Sequence, residues 1–474
     1  MKYQLIFLYD YVFPNMILPN AIINEFGITN YLHSLYAHRA KNNNSLFDSG
    51  GGTFSPNNTI FENNLGTWPN SLRAGGCHLR HPAYQSYLKY REESLYFGKE
   101  NNKKYIYPIK INPHIDDFIG FNLRPGNKLN GEYFWKHMST EALRDAQQGN
   151  CLIFLDYGQE NFIEKTTYQN LHEVLKYSGI PKEQILLAFN SINAQEVYES
   201  WFPAEDRRLQ VMGWPFVMVA SSHHYATCGP TQRLDIPQFE STKDIVRPNY
   251  FLFKIRNTRP HRVALLYKMA NEGLLEKTDW SCLTPIRFNK GEIDHLSEKY
   301  DFNLDADIIA MFCSLLPRSL SSEQGISHSS VSAWTDKHAT AHKNSYLYIC
   351  TETFVHGEHK SLTEKVFKPI ANFQPFLFVA YPKALELLRN LGFKTFSPFI
   401  DERYDDEQDE VKRLQLIYKE IDKISKMSAE EIHEWFWNMK DILIHNHTHL
   451  LTLHQQEPKS LELIKFLHNH VHNS

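Results

Sequence analysis

The sequence predicts an α/β protein: two successive parallel-sheet units, followed by a helical C-terminal end. Three observations predict it. From Cys151 onward, short apolar runs bounded by Gly, Pro or polar residues alternate with helical patterns. The alternation stops at a polar, Pro- and Gln-containing stretch, Gly229 to Asn249, and then restarts, which places a domain boundary near residue 240. The composition, 42% hydrophobic and 22% charged over 474 residues, supplies large cores and too little charge excess for disorder.

The elements follow in order. Tyr3 to Tyr9 reads as a first strand; Asp10 and Pro14 interrupt it too soon for a signal peptide. Lys41 to Asn58, rich in Asn, Gly and Ser, reads as a mobile loop or an insertion, and Thr67 to Gly76 is a second turn-rich patch. CLIFLDYG, from Cys151, is a buried strand ending in Gly158. Asn170 to Tyr177 is a helix stopped at Gly179 and Pro181. Gln184 to Asn190 is a strand, Ala194 to Trp201 a helix, and FVMVAS, Phe216 to Ser221, a third strand. In the second unit Tyr250 to Ile255 is a strand. Pro260 to Lys277 is a helix with Pro in its first turn and Val263, Leu266, Met269, Ala270 and Leu274 on one face. Tyr346 to Cys350, Phe376 to Ala380 and Phe393 to Phe396 are strands. Leu362 to Asn372 and Pro382 to Leu391 are helices, the second closed by Gly392. Asp401 to Glu410 is a solvated acidic loop. From Val411 the chain is helical, with Ser428 and Glu431 spaced as a capping box.

Several function classes are excluded. A net charge of −4 gives no broad positive field for nucleic acid. The six cysteines show no CxxC spacing, so they read as reduced, mostly buried residues of a cytoplasmic protein rather than a disulfide framework or a zinc site. No run approaches the roughly 20 apolar residues that span a bilayer. Peripheral association at the inner face of a membrane stays open. The sequons at Asn43, Asn57 and Asn446 lack a secretory context.

Two places carry candidate chemistry. Thr351-Glu352 ends a strand, and the loop after it leads to Lys360-Ser361-Leu362-Thr363-Glu364-Lys365, where a helix opens near Ser361. A helix N-terminus offers free N–H groups and a positive dipole end to a phosphate; Lys365 adds a charge one turn in. Glu352 or Glu364 is placed to accept ribose hydroxyls. The same Ser361 and Glu364 also satisfy a capping box that needs no ligand. The second place is Arg256-Asn257-Thr258-Arg259-Pro260-His261-Arg262, at the strand-to-helix turn opening the second unit. Guanidinium groups there suit phosphate oxygens; a solvated basic turn is the plainer reading. Both places lie at strand ends of one unit, and together they fit a nucleoside diphosphate.

FLFKIRNTRPHRVALLYKM and YLYICTETFVHGEHKSLTEKVFKPI together resemble the donor-binding half of the α1,3-fucosyltransferase family and its fucosyltransferase-like relatives. Asn257, Arg262, Glu352, Thr363, Glu364 and Lys365 match the family positions. FQPFLFVAYPKALELLRNLGFKTF resembles a broader set of bacterial and viral glycosyltransferase-like proteins. The resemblance covers residues 250 to 405 and, weakly, 150 to 225; His356, His359 and Lys360 depart from it. It implies a GT-B fold: two Rossmann-like domains facing a cleft, residues 1–240 on the acceptor side and 241–474 holding a nucleotide sugar. It also implies direct displacement with inversion. Donor residues are then Arg256, Asn257, Arg259, Arg262, Glu352, Ser361, Thr363, Glu364 and Lys365. The family places its catalytic carboxylate in a G-x-E-N context, which makes Glu160 the base and Asp156 the reserve.

The expected function is an inverting transfer from a nucleotide sugar, with GDP-fucose one candidate, to a glycan or lipid-linked saccharide. The donor is a co-substrate, and no other cofactor or metal is required. A non-catalytic binding module and a sugar-nucleotide epimerase are the rival readings. His223, after the supposed third strand, is an acceptor-side candidate. Asp305-Ala306-Asp307 looks like a D-x-D metal motif but sits in an apolar context. His445 and His449 share a helical face more simply read as amphipathic, and Trp435, Phe436 and Trp437 read as packing.

Overall fold

Cys151 to Leu155 and Ile185 to Phe189 are buried along their whole length. A strand covered on both faces belongs in the middle of a parallel sheet with helices on either side. That is where the computed structural model places them. It describes residues 104–110, 140–157, 165–227, 233–286, 289–320 and 339–453, with short stretches at 3–5, 21–23 and within 462–470. Two further strands, β1 (Tyr3–Leu5) and β2 (Ala21–Ile23), form an antiparallel pair.

The contacts divide the chain into Met1–Ala220 with His359–Ser361 and His454–Ser474, and Ser221–Glu358 with Leu362–Leu453. The first unit carries a parallel sheet in the order β3 (Tyr105–Lys110), β4 (Cys151–Tyr157), β5 (Ile185–Phe189), β6 (Gln210–Gly213). Its helices are α1 (Thr140–Gln147), α2 (Lys165–Ser178) and α3 (Ala194–Trp201). Helix α2 stops at Gly179, whose φ of +68° suits a residue without a Cβ. Tyr168, Tyr198 and Phe202 form an aromatic cluster between α2 and α3.

The expected third strand is wrong. Phe216 to Ser221 lies in a helix, α4 (Phe216–Thr227), and the strand is β6 just before it. An apolar run of six residues does not tell a buried strand from a buried helix. Here Pro215 precedes the first turn, the Asn190 side chain accepts the Val217 N–H at 3.2 Å, and the helical register continues through SSHHYAT. Val217, Met218, Val219, Ser221, Ser222 and Tyr225 are all buried, as in a helix enclosed on most sides. His223 therefore lies inside a helix and not at a strand end.

The second unit carries the sheet β10 (Phe376–Val379), β9 (Ser345–Thr351), β7 (Asn249–Ile255), β8 (Thr278–Cys282), all parallel. Strand β8 has no counterpart in the sequence reading, because TDWSC is too polar to read as an apolar run. Helices here are α5 (Ile236–Glu240), α6 (Pro260–Asn271), α7 (Lys290–Tyr300), α8 (Ala306–Cys313), α9 (Thr340–Lys343), α10 (Glu364–Ala371), α11 (Ala384–Asn390), α12 (Glu410–Ser425), α13 (Ala429–Trp437) and α14 (Lys440–Leu453). Phe393 to Phe396 forms no strand.

The supposed linker is docked into this unit. Asp235 and Gln238 form a capping box on α5. Phe239 stacks on Phe373 at 4.5 Å and on Trp437 at 4.9 Å. The buried Arg247 guanidinium lies 3.9 Å from the Phe436 ring centre and donates to the carbonyls of His342 and Ser345. The acidic stretch is also not simply solvated. Asp405 is buried and accepts the Leu385 and Glu386 N–H groups, and Glu402 accepts that of Phe396. The Ser428–Glu431 capping box is present. Asn446 is buried and exchanges both amide hydrogen bonds with the Lys394 backbone, so this sequon is closed to glycosylation.

Candidate functional site

In the second sheet, sequential strands run one way from β7 to β8 and the other way from β9 to β10. The order reverses between β7 and β9. In open parallel sheets, ligands bind beyond the carboxyl ends of the strands at such a reversal. The two segments singled out in the sequence are the ones that leave these two strand ends.

Strand β7 ends at Ile255, and the chain continues into Arg256, Asn257 and Arg259, all exposed. Arg259 occupies the N-cap of α6 in an extended conformation, makes no side-chain cap, and is followed by Pro260. Its guanidinium sits 5.7 Å from the Phe354 ring centre, in the loop after β9. The turn is fixed from below: the Thr284 hydroxyl donates to the Arg256 carbonyl at 2.6 Å, and the Leu283 N–H to that of Ile255.

Arg262 points inward. It is buried, and it donates from Nη1 to the Asn257 carbonyl and from Nη2 to the Thr351 carbonyl, each at 3.0 Å. One guanidinium thus joins the ends of β7 and β9 across the reversal. Its Nε is buried with no partner. His261 is also buried. Its Nε2 lies 3.0 Å from the Glu352 carbonyl, an acceptor, so that nitrogen carries the proton. Burial, with Arg262 adjacent, pushes the His261 pKa down to about 4.

Glu352 and Thr363, both buried, come together with the partly exposed Glu364 and Lys365 in one cluster. Both Glu352 carboxylate oxygens receive the Thr363 hydroxyl, at 2.6 and 2.8 Å, and Oε1 also receives the Thr363 N–H at 3.3 Å. Lys365 Nζ donates to Thr363 Oγ1 at 3.1 Å and pairs with Glu364 at 3.2 Å and Glu352 at 3.6 Å. Burial works against the Lys365 charge; the two carboxylates together outweigh it and hold the ammonium above its ordinary value. Only 4% of the Glu352 side chain is exposed, so this carboxylate ties a strand end to a helix start.

That helix opens later than expected. Thr363 is the N-cap of α10, its hydroxyl accepting the Lys365 N–H, whereas Ser361 lies outside the helix and its capping box does not form. Ser361 groups with the first unit, as do its neighbours: Lys360 exchanges hydrogen bonds with the Asn193 side chain and the Ile192 N–H. The His359 ring meets Phe189 and Trp201 edge-on.

Of the catalytic candidates, Asp156 is the penultimate residue of β4, at its carboxyl end. Glu160 lies outside the described residues, as do the expected Lys41 to Asn58 loop, the Thr67 to Gly76 patch and the sequons at Asn43 and Asn57. Asp305 is the N-cap of α8, accepting the N–H groups of Asp307 and Ile308. His445 and His449 bond the carbonyls of Gly392 and Leu391, and Phe436 packs in the core. No group of three or more His, Cys, Asp or Glu among the described residues is arranged to hold a metal ion. No helix among them is long and apolar enough to cross a membrane.

Sequence reasoning missed Glu410 and Arg413, which meet the loop after β9, and Tyr300, which bonds Glu410. Arg413 donates to the carbonyls of Val355 and Ala380, and Tyr300 donates to Glu410 at 2.6 Å. The signal was present as Asp409-Glu410 before an apolar period, an N-cap followed by a first-turn acid.

No family model and no curated protein matches the chain. Among solved structures it is similar to the N-terminal domain of Candida albicans trehalose-6-phosphate phosphatase, at 12% identity and a TM-score of 0.40, over 81% of this chain and 75% of that one. The α,α-trehalose 6-phosphate synthase of Burkholderia multivorans gives 9% and 0.38 over 81% and 75%. A glycosylation-associated protein complex from Streptococcus agalactiae gives 10% and 0.28 over 77% and 57%. Likenesses this distant fix no activity.

Proposed function

We propose that this chain is a GT-B glycosyltransferase that takes a sugar from a nucleotide diphosphate and passes it to a glycan or lipid-linked saccharide with inversion. The observation that carries this reading is the strand reversal between β7 and β9, with exposed Arg256, Asn257 and Arg259 at its rim and an α6 start that Arg259 leaves uncapped. Cations and free N–H groups there suit the negative charge that grows on a leaving diphosphate. The fucosyltransferase-like pattern in the same two segments supports it.

In this reading Arg256, Asn257 and Arg259 touch the diphosphate. The buried Arg262 and the Glu352–Thr363–Lys365 cluster hold the two strand ends in place. Glu160, or Asp156 in reserve, takes the acceptor proton. The donor is a co-substrate, and protein cations stand where other transferases use a metal.

A thermal-shift panel with GDP, UDP, CMP and ADP tests the site. A nucleotide at 100 times its Kd stabilises the chain by about 2.7 kcal/mol, and the one that does so names the base. The double variant Arg256→Ala/Arg259→Ala, which changes only exposed side chains, should lose most of that shift. No shift with any nucleotide would sink the reading. A shift without formation of a glycosidic bond from the matching sugar nucleotides would favour a binding module.

A further inference from the structure

Within this donor-site reading, the loop after β9 carries one group that the fucosyltransferase-like pattern does not supply, His356. The loop is held on both sides of it. Arg259 lies 5.7 Å from the Phe354 ring centre, Arg413 Nη2 donates to the Val355 carbonyl, and Gly357 turns the chain with a φ of +113°, a region that favours glycine. Between these anchors the His356 side chain is 73% exposed, and its Nδ1 faces Glu410 Oε2 at 3.6 Å. Glu410, the first residue of α12, is anchored in turn: Oε1 accepts the Tyr300 hydroxyl at 2.6 Å and lies 3.4 Å from Lys299 Nζ. A held carboxylate therefore stands behind an open imidazole, two residues along the loop from the phenylalanine that meets a proposed diphosphate contact.

We infer that His356, backed by Glu410, takes the acceptor proton in the transfer, in place of Glu160. A neutral imidazole offers one N–H and one lone pair. A carboxylate at Nδ1 keeps the proton on that nitrogen and leaves the lone pair on Nε2, the nitrogen across the ring from Glu410. Burial works against the Glu410 charge, but Tyr300, Lys299 and His261 outweigh it and hold the carboxyl below its ordinary range, so it stays an anion beside the ring. The 3.6 Å separation is longer than a hydrogen bond, as such pairs often are before substrate arrives. In the step, Nε2 takes the proton of the acceptor hydroxyl and the acceptor oxygen bonds to the anomeric carbon. The bond from that carbon to the diphosphate breaks, and its electron pair leaves on the diphosphate. Glu410 steadies the imidazolium until Nε2 returns the proton to water. His356 is the catalytic residue; Glu410 touches no substrate and is a positioning residue.

The test measures turnover and nucleotide affinity side by side. Turnover is followed with sugar nucleotides of the base named by the thermal-shift panel, with methyl hexosides and water as acceptors. Affinity for the free nucleotide, by calorimetry, reports that the fold and the donor site are intact. His356→Ala should lower kcat about a hundredfold to ten-thousandfold, the usual value of a general base, with nucleotide affinity unchanged. Added imidazole should restore part of the lost rate, because the deleted ring leaves an open position. Glu410→Gln, which keeps an oxygen for Tyr300, should lower kcat by a smaller factor, and the two losses should not multiply in the double variant. Undiminished turnover in His356→Ala returns the proton to Glu160 and overturns the assignment while leaving the donor site standing. Weaker nucleotide binding at unchanged kcat makes His356 a donor contact and also overturns it. A loss of rate that imidazole does not repair, or one that multiplies with Glu410→Gln, marks a role in loop shape and overturns it as well. A wild type that binds no nucleotide, or binds one and turns over with none of these acceptors, removes the transfer reading and this assignment together.

Discussion

Thr363 is the residue on which the rim of the second sheet turns. One hydroxyl donates to the Glu352 carboxylate and accepts from the Lys365 N–H and ammonium. Thr363→Val keeps the shape and removes the hydroxyl. It leaves a buried carboxylate short of its best donor and a lysine pulled toward two acids. A charged buried group stripped of a hydrogen bond costs roughly 2–3 kcal/mol. Urea unfolding should show that loss in the midpoint with the slope unchanged, and Thr363→Ser should recover most of it. An unchanged midpoint in Thr363→Val would mean that water replaces the hydroxyl. The residue types at this site were legible in the sequence, because strand ends and a T-E-K helix start are local patterns. Their division of labour was not. Nothing in the spacing says that Glu352 and Arg262 are spent on the protein's own groups, while Arg256 and Arg259 face solvent. That depends on burial, which pairs residues far apart in the chain. Glu410 was hidden for the same reason: its neighbours come from α7 and the loop after β9.

At the scale of elements, the turn after β5 shows what an apolar run conceals. FVMVAS has the composition of a strand, yet β6 already occupies the sheet position at Gln210–Gly213. The close packing of that strand against the preceding turn depends on Gly213. A Cβ there would lie 2.4 Å from the Ser191 carbonyl oxygen and 2.8 Å from that of Ile192. Both are main-chain atoms with no rotamer to yield. Gly213→Ala should therefore destabilise by about 1–3 kcal/mol, the usual cost of forcing extra volume into a packed region. The same turn holds the 359–361 segment, because the Ile192 N–H donates to the Lys360 carbonyl. Amide hydrogen exchange at Ile192 should rise in Gly213→Ala while exchange along β9 stays slow. Fast exchange in both places, or in neither, would contradict this account of the turn. Besides β1, the strands that sequence reading identified, β4, β5, β7, β9 and β10, each hold an apolar run of four or more residues; β8 and β6 do not and are recognised only by their neighbours.

At the scale of the whole molecule, buried imidazoles set the response to acid. His172, His261 and His447 each have their pKa lowered from 6.5 to about 4, chiefly by burial. The bond of His172 also favours the neutral ring, whereas those of His261 and His447 to carbonyls favour the charged ring and are outweighed by burial. The Tyr198 oxygen already accepts the N–H groups of Arg208 and Leu209, so its proton goes to His172 Nε2. His261 donates to the Glu352 carbonyl, and His447 donates from Nδ1 to the Ala371 carbonyl while stacking on Phe373 at 4.0 Å. Above pH 6.5 these groups are neutral in both folded and unfolded chains and stability is flat in pH. Between pH 6.5 and about 4 the unfolded chain binds protons that the folded chain refuses, so stability falls as pH falls. Below about 4 the folded imidazoles protonate as well and this loss levels off. Each shift corresponds to at most about 3 kcal/mol, less for the half-buried His172. Glu402 and Asp405, raised chiefly by burial, oppose the trend because the folded chain protonates them first. His470 is lowered to about 4 by burial in the same way. With four histidines against two carboxyls, the urea midpoint should drop steadily from pH 7 to pH 4.5. Replacing His447 by Gln, which keeps a donor toward Ala371 but does not titrate, should flatten that slope by about a quarter. A midpoint constant across the interval would show that these imidazoles take up protons without leaving the fold.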